Sequence, residues 1–153
     1  IPKHQKAISN FLDFFKLKYH ALDAYSEIET NGTIYIDDGI FNHLNQINCS
    51  VKLANSGIEK DRRIVPEALN RIMQHNNYSF KFVVSTEDDF KEIQNDFVEP
   101  FNIPADRVCM MPGLDSQEKY HERTRFVLEM AKKYGYRGLS RLHISAWDRA
   151  TGV

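Results

Sequence analysis

Glu27 and Glu29 stand two residues apart in Tyr25-Ser26-Glu27-Ile28-Glu29-Thr30, a strand-like run, so both carboxylates leave the chain on one face. Carboxylates that converge in this way suit a ribose, an amine or a metal, and are costly to bury without one. The plain alternative is one face of an edge strand in solvent. Asn31-Gly32 follows and permits close backbone approach, which favours a ligand. Ser50 and Lys52 repeat the spacing. Facing inward, Lys52 would anchor an anion or carboxylate with Ser50 hydrogen-bonding beside it; facing outward, it would snorkel to the surface. His143, between Leu142 and Ile144, reads on spacing alone as a satisfied core histidine, and its place at a strand end near the terminus makes it a candidate. The tail from Trp147 to Val153 either folds over the strand ends, offering a terminal carboxylate, or frays. Lys81 reads as a lysine at the sheet margin and Arg62-Arg63 as a solvated helix start.

The two cysteines, Cys49 and Cys109, lie sixty positions apart in apolar runs and read as buried structural thiols, not as a disulfide framework or a metal site. No glycine-rich phosphate loop, nucleophile elbow or His-Glu-x-x-His is present. With 42% apolar and 27% charged residues, the 153-residue chain has enough apolar surface for one compact domain, which excludes disorder. No apolar run approaches the ~20 residues of a membrane helix, and a net charge of −1 lacks the basic footprint of a nucleic-acid binder. No signal or transit segment is recognisable, so a reducing cytoplasm is the expected setting. The sequence opens on Ile1-Pro2 instead of Met, and a native start further upstream is expected.

These residues need elements to hold them. Helical spacing runs from Pro2 to about His20, followed by the strand Tyr25–Thr30, a weaker helix over Asp37–Gln46 and the strand Asn48–Leu53. Pro66 starts an amphipathic helix that ends at His75-Asn76-Asn77, and Phe80–Val84 is an apolar strand. Thr86 and Asp89 form a capping box for a helix through Phe97; Arg107–Met111 is a strand closed by Pro112-Gly113. Asp115 and Glu118 form a second box-like start for a helix to Tyr134, with Gly135 as its cap, and Ser140–Ile144 is the last strand. The alternation predicts a single α/β domain over residues 1–153 with a parallel sheet, beginning on a helix whose preceding strand is absent. Ligands of such folds meet the carboxyl ends of the strands. Here those ends are Glu29–Gly32, Lys52–Gly57, Ser85, Met111–Leu114, and His143 with the tail.

Taken together, Glu27-Ile28-Glu29-Thr30-Asn31-Gly32-Thr33, Ser50-Val51-Lys52-Leu53-Ala54-Asn55-Ser56-Gly57 and Phe80–Val84 resemble 7-carboxy-7-deazaguanine synthase. So do Val108–Pro112, Gly135-Tyr136-Arg137, Ser140-Arg141-Leu142-His143 and the Trp147–Val153 ending. The likeness runs through nearly the whole chain. It implies the C-terminal part of a partial (β/α) barrel of the radical S-adenosylmethionine (SAM) enzymes, with a 4Fe–4S cluster and Mg2+. The reaction implied converts 6-carboxytetrahydropterin to 7-carboxy-7-deazaguanine, a deazapurine precursor on routes such as queuosine biosynthesis. Ser50-Val51-Lys52 resembles the family's Ser-Pro-Lys segment that contacts SAM, and Met111-Pro112-Gly113-Leu114 resembles the later loop on the same cofactor. By the same resemblance Glu29 meets the ribose or methionyl part of SAM, while His143 and the Val153 carboxylate lie by the pterin.

The sequence departs from the family's pattern in lacking Cys-x3-Cys-x2-Cys, the Gly-Gly-Glu-Pro strand end and the magnesium-binding threonine. No catalytic residue or metal ligand is therefore expected in this chain, which alone should be inactive. As a half barrel it should expose a strand edge and apolar helix faces, and so form a homodimer or pair with the missing half. Two further readings stand beside this one: a non-catalytic small-molecule-binding relative, and an unrelated doubly wound binding module.

Overall fold

Five strands form in the computed structural model, which describes residues 4–19, 24–114 and 116–150: β1 (Glu27–Thr30), β2 (Gln46–Ser50), β3 (Tyr78–Val84), β4 (Val108–Pro112) and β5 (Arg137–Gly138). Every described ladder is parallel. Their period-two burial is the expected cause of the register: β2 buries Ile47 and Cys49, and β3 buries Tyr78, Phe80, Phe82 and Val84. The helices are α1 (Gln5–Lys18), α2 (Asp38–Phe41), α3 (Lys60–Arg63), α4 (Pro66–Met73), α5 (Glu87–Glu92), α6 (Glu99–Phe101), α7 (Tyr120–Tyr134) and α8 (Leu142–Trp147). None is long and apolar enough to cross a membrane.

The chain divides into two compact units. The first comprises Ile1–Val51 and Glu59–Ser79. Here β1 runs parallel to β2, with Glu27 opposite Gln46 and Glu29 opposite Asn48. Pro66 opens α4, where a missing N–H costs nothing, and Ala68, Leu69 and Ile72 turn inward onto a core that includes Ile36, Ile40, Ile47 and Cys49. His75 closes α4: one ring nitrogen lies 3.0 Å from the Leu44 carbonyl and the other 2.8 Å from that of Asn77. By contrast, no described residue of α1 is buried, and Phe11 and Leu17 are 60% and 81% exposed.

The second unit comprises Lys52–Ile58 and Phe80–Val153, with strand order β3-β4-β5. Val108, Cys109 and Met110 are buried consecutively, as expected of a parallel strand covered on both faces. Phe82 and Phe97 rings meet at 5.2 Å in this core. The capping box is formed as expected: Asp89 accepts hydrogen bonds from the Ser85 and Thr86 amides at 2.8 and 2.9 Å, and its own amide donates to Thr86 Oγ1. Asp89 is buried, so Asp89→Ala orphans two backbone donors; we expect a loss of about 2 kcal/mol in chemical unfolding. A loss within error of zero would mean that water replaces the carboxylate. Beyond α5 the helical path continues through a π-turn (Ile93–Val98) into α6, past the expected end at Phe97. Gly135, at φ 71°, caps α7 as expected.

Several expectations are corrected. Ser140–Ile144 is not a strand: β5 is confined to Arg137–Gly138. The Leu139 amide makes a last bond to the Met110 carbonyl at 2.8 Å, and the chain then turns into α8. His143 therefore sits exposed on a helix and not at a strand end. α7 starts at Tyr120, behind Lys119 in the left-handed region and without a side-chain cap; the Asp115–Glu118 box does not open it, and Asp115 lies outside the described residues. β2 begins and ends earlier than Asn48–Leu53. Arg63 is 4% exposed, so of the arginine pair only Arg62 is solvated.

Candidate functional site at the strand ends

In the first unit, β1 places Glu27 and Glu29 on its exposed side, as their spacing requires. The face they share holds a polar network that the sequence reading passed over. Asn48 Oδ1 accepts from Gln46 Nε2 at 3.1 Å and from Ser79 Oγ at 3.0 Å, while Asn48 Nδ2 donates to Glu27 at 3.5 Å. The signal was available: Gln46-Ile47-Asn48-Cys49-Ser50 and Tyr78-Ser79-Phe80-Lys81 alternate with the same period as Glu27-Ile28-Glu29. Lys81 belongs to this alternation, half-buried between two core phenylalanines. After β1 the chain turns tightly. The Gly32 amide donates to Thr30 Oγ1, and Asn31 Oδ1 accepts from both the amide and the hydroxyl of Thr33.

Ser50 ends β2, and the burial alternation runs on past it. Ser50 and Lys52 are half-buried, while Val51 and Leu53 are core residues. Val51, which is 2% exposed, offers only its backbone to any ligand. In the second unit the turn after Leu53 is anchored at both sides: Glu92 accepts from the Ala54 amide, and Asn55 Nδ2 donates to the Val83 carbonyl at 3.1 Å.

The ends of β3 and β4 come together closely. Gly113 donates its amide to the Val84 carbonyl at 2.8 Å, and a Cβ at Gly113 would fall onto Ser85 Oγ. Met111, Gly113 and Leu114 remain partly exposed, while Pro112 is buried. Arg123 donates to the Ser85 carbonyl and Arg141 to that of Leu114, so two guanidinium groups fix this rim. Arg123 was not singled out from the sequence, where Arg141 stands only within the Ser140–His143 resemblance. His143, on α8, is not at the strand end assigned to it, and Val153 lies outside the described residues.

Two curated relatives match this chain. It is 32% identical over 126 residues to the 7-carboxy-7-deazaguanine synthase of Pyrobaculum aerophilum, covering 82% of this chain and 54% of the relative. The Halobacterium salinarum protein of the same name is 29% identical over 150 residues, covering 85% and 57%. The chain is a homologue of the 7-carboxy-7-deazaguanine synthases. It spans about half the length of these synthases. No family model and no solved structure matches it.

The cluster and magnesium ion implied by the resemblance to the synthases do not fit the residues present. Cys49 and Cys109 are buried on β2 and β4 as the structural thiols expected. Burial pushes the Cys49 thiol far above its ordinary range; it also raises Cys109, against the opposing pull of the Arg137 guanidinium. Neither is a ready thiolate ligand. Among the described residues no group of three or more His, Cys, Asp or Glu side chains could hold a metal.

Proposed function

We propose that this chain forms part of a 7-carboxy-7-deazaguanine synthase, and that its strand ends supply the surface on which SAM and a 6-carboxytetrahydropterin are bound and oriented. The observation that carries this reading is the alignment of more than four-fifths of the chain with two proteins of that name. The reaction proposed for the whole protein is a SAM-dependent radical ring contraction of the pterin with loss of ammonia. The cluster and Mg2+ would be held by ligands outside the described residues; this chain's own work is binding, alignment and the exclusion of water.

Within that proposal, Ser50 and Lys52 contact SAM, with Glu29 toward its ribose or methionyl part and Met111–Leu114 on the same cofactor. His143 reaches the pterin from α8. The fold would be part of a partial (β/α) barrel, which the all-parallel pairing supports. The exposed Phe11, Phe14 and Leu17 of α1 support pairing with a second copy or with a cluster-bearing segment. Isothermal titration of SAM onto the chain tests the binding role. Saturable binding is expected, weakened about tenfold in Lys52→Ala by loss of one charge-assisted contact. Absence of binding by both SAM and pterin-6-carboxylate would contradict the reading.

A further inference from the structure

At the carboxyl end of β4 lies a cavity of about 280 Å3 whose lining includes Gly113, Leu114, Lys119, Arg123 and Arg149. Three of its lining side chains are cationic and one, Glu118, is anionic. Among the described residues no carboxylate forms an ion pair with Lys119, Arg123 or Arg149. Asp148, the neighbour of Arg149, accepts from the Gln117 amide, between the lining residues Ser116 and Glu118, and places a second carboxylate at the margin of the cavity. Arg123 is held by the Ser85 carbonyl and Arg141 by the carbonyl of Leu114, a lining residue. Arg141 Nε is buried and has no hydrogen-bond partner among the described residues. A buried donor of this kind is rare, and here it adds a fourth positive charge behind the same rim. Among the described lining side chains cations outnumber carboxylates three to one, and cations that gather around a concavity in excess of their counter-charges repel one another, so an anion that enters is favoured by each of them.

We propose that this cavity is a carboxylate-binding subsite, in which Arg123 and Arg149 bind the anion and Lys119 adds a mobile charge. Its volume has room for the acidic arm of a ligand. The proposal rests on the synthase reading only in naming the two carboxylates that could enter, the methionyl carboxylate of SAM and the 6-carboxylate of the pterin.

The test is a titration of the 15N-labelled chain with acetate, followed by NMR at the amides of Gly113, Leu114, Ser116 and Arg123. Saturable movement of these amides is expected in the wild type. In K119Q/R149Q, which alters two exposed side chains, the apparent affinity should fall about tenfold or more. Retained dispersion of the spectrum shows that the variant is folded. SAM and pterin-6-carboxylate are then added in separate arms, and the one whose carboxylate occupies the cavity displaces acetate; 6-hydroxymethylpterin, which has no carboxylate, does not. No saturable movement in the wild type, or equal affinity in the folded variant, would overturn the subsite. Acetate binding that neither SAM nor pterin-6-carboxylate displaces would leave the anion site standing and remove the synthase reading from it.

Discussion

Replacing Gly32 by alanine is expected to lower the unfolding free energy by about 2–4 kcal/mol. Two costs add at this position. Gly32 adopts φ 74°, in the left-handed region that strains a residue with a Cβ. That Cβ would also lie 2.7 Å from Cys49 Sγ and 2.9 Å from Leu69 Cδ2, both of core residues that cannot swing into solvent. Gly57 provides the control, because it has nearly the same φ of 72° but nothing within 4 Å of the added atom. Gly57→Ala should therefore cost only the backbone share, about 1 kcal/mol. Urea unfolding with an unchanged slope measures both. Equal losses in the two variants would show that the turn after β1 is not clamped against the core. The consequence reaches the site, since this turn holds Asn31 and Thr33 just beyond Glu29.

Arg71→Ala should cost a similar amount, about 2–4 kcal/mol, although it sits on a short helix and not in the apolar core. Its Nε donates to the Ile36 carbonyl at 3.1 Å, one terminal nitrogen donates to Gln74, and the guanidinium lies 3.7 Å from the centre of the Phe41 ring. It also pairs with Asp38, which invites the view that the ion pair is what matters. Exposure decides otherwise: the Arg71 side chain is 11% exposed and that of Asp38 79%. A solvated partner contributes little, so Asp38→Asn should cost less than about 1 kcal/mol. If Asp38→Asn proved as damaging as Arg71→Ala, the pair and not the buried guanidinium contacts would carry the energy.

Local chemistry was the part of this fold legible in the residues. The Thr86–Asp89 box, Pro66 at the start of α4 and Gly135 at the end of α7 each act within one turn, and each stands where its residue type places it. The strand read over Ser140–Ile144 failed because three residues, Leu-His-Ile, are too few to fix a period: on α8, Ile144 is buried while Leu142 is 74% exposed. The ladder makes its last bond from Leu139 to Met110, and the chain then turns into α8. The spacing of Glu27 with Glu29 was read correctly as one shared side of β1, yet the Gln46–Asn48–Ser79 network needed the register of separate segments. The Lys119–Arg123–Arg149 cluster was out of reach for the same reason. Its members are ordinary surface cations in sequence, and only the fold gathers them around one cavity.

The most direct test of the synthase reading is turnover by the full-length protein that contains this chain. Purified anaerobically with its cluster reconstituted, it should convert 6-carboxytetrahydropterin to 7-carboxy-7-deazaguanine in the presence of SAM, Mg2+ and a one-electron reductant, with the product identified by mass spectrometry. A protein with a full cluster, seen by its visible absorption, that left the pterin unchanged would contradict the account.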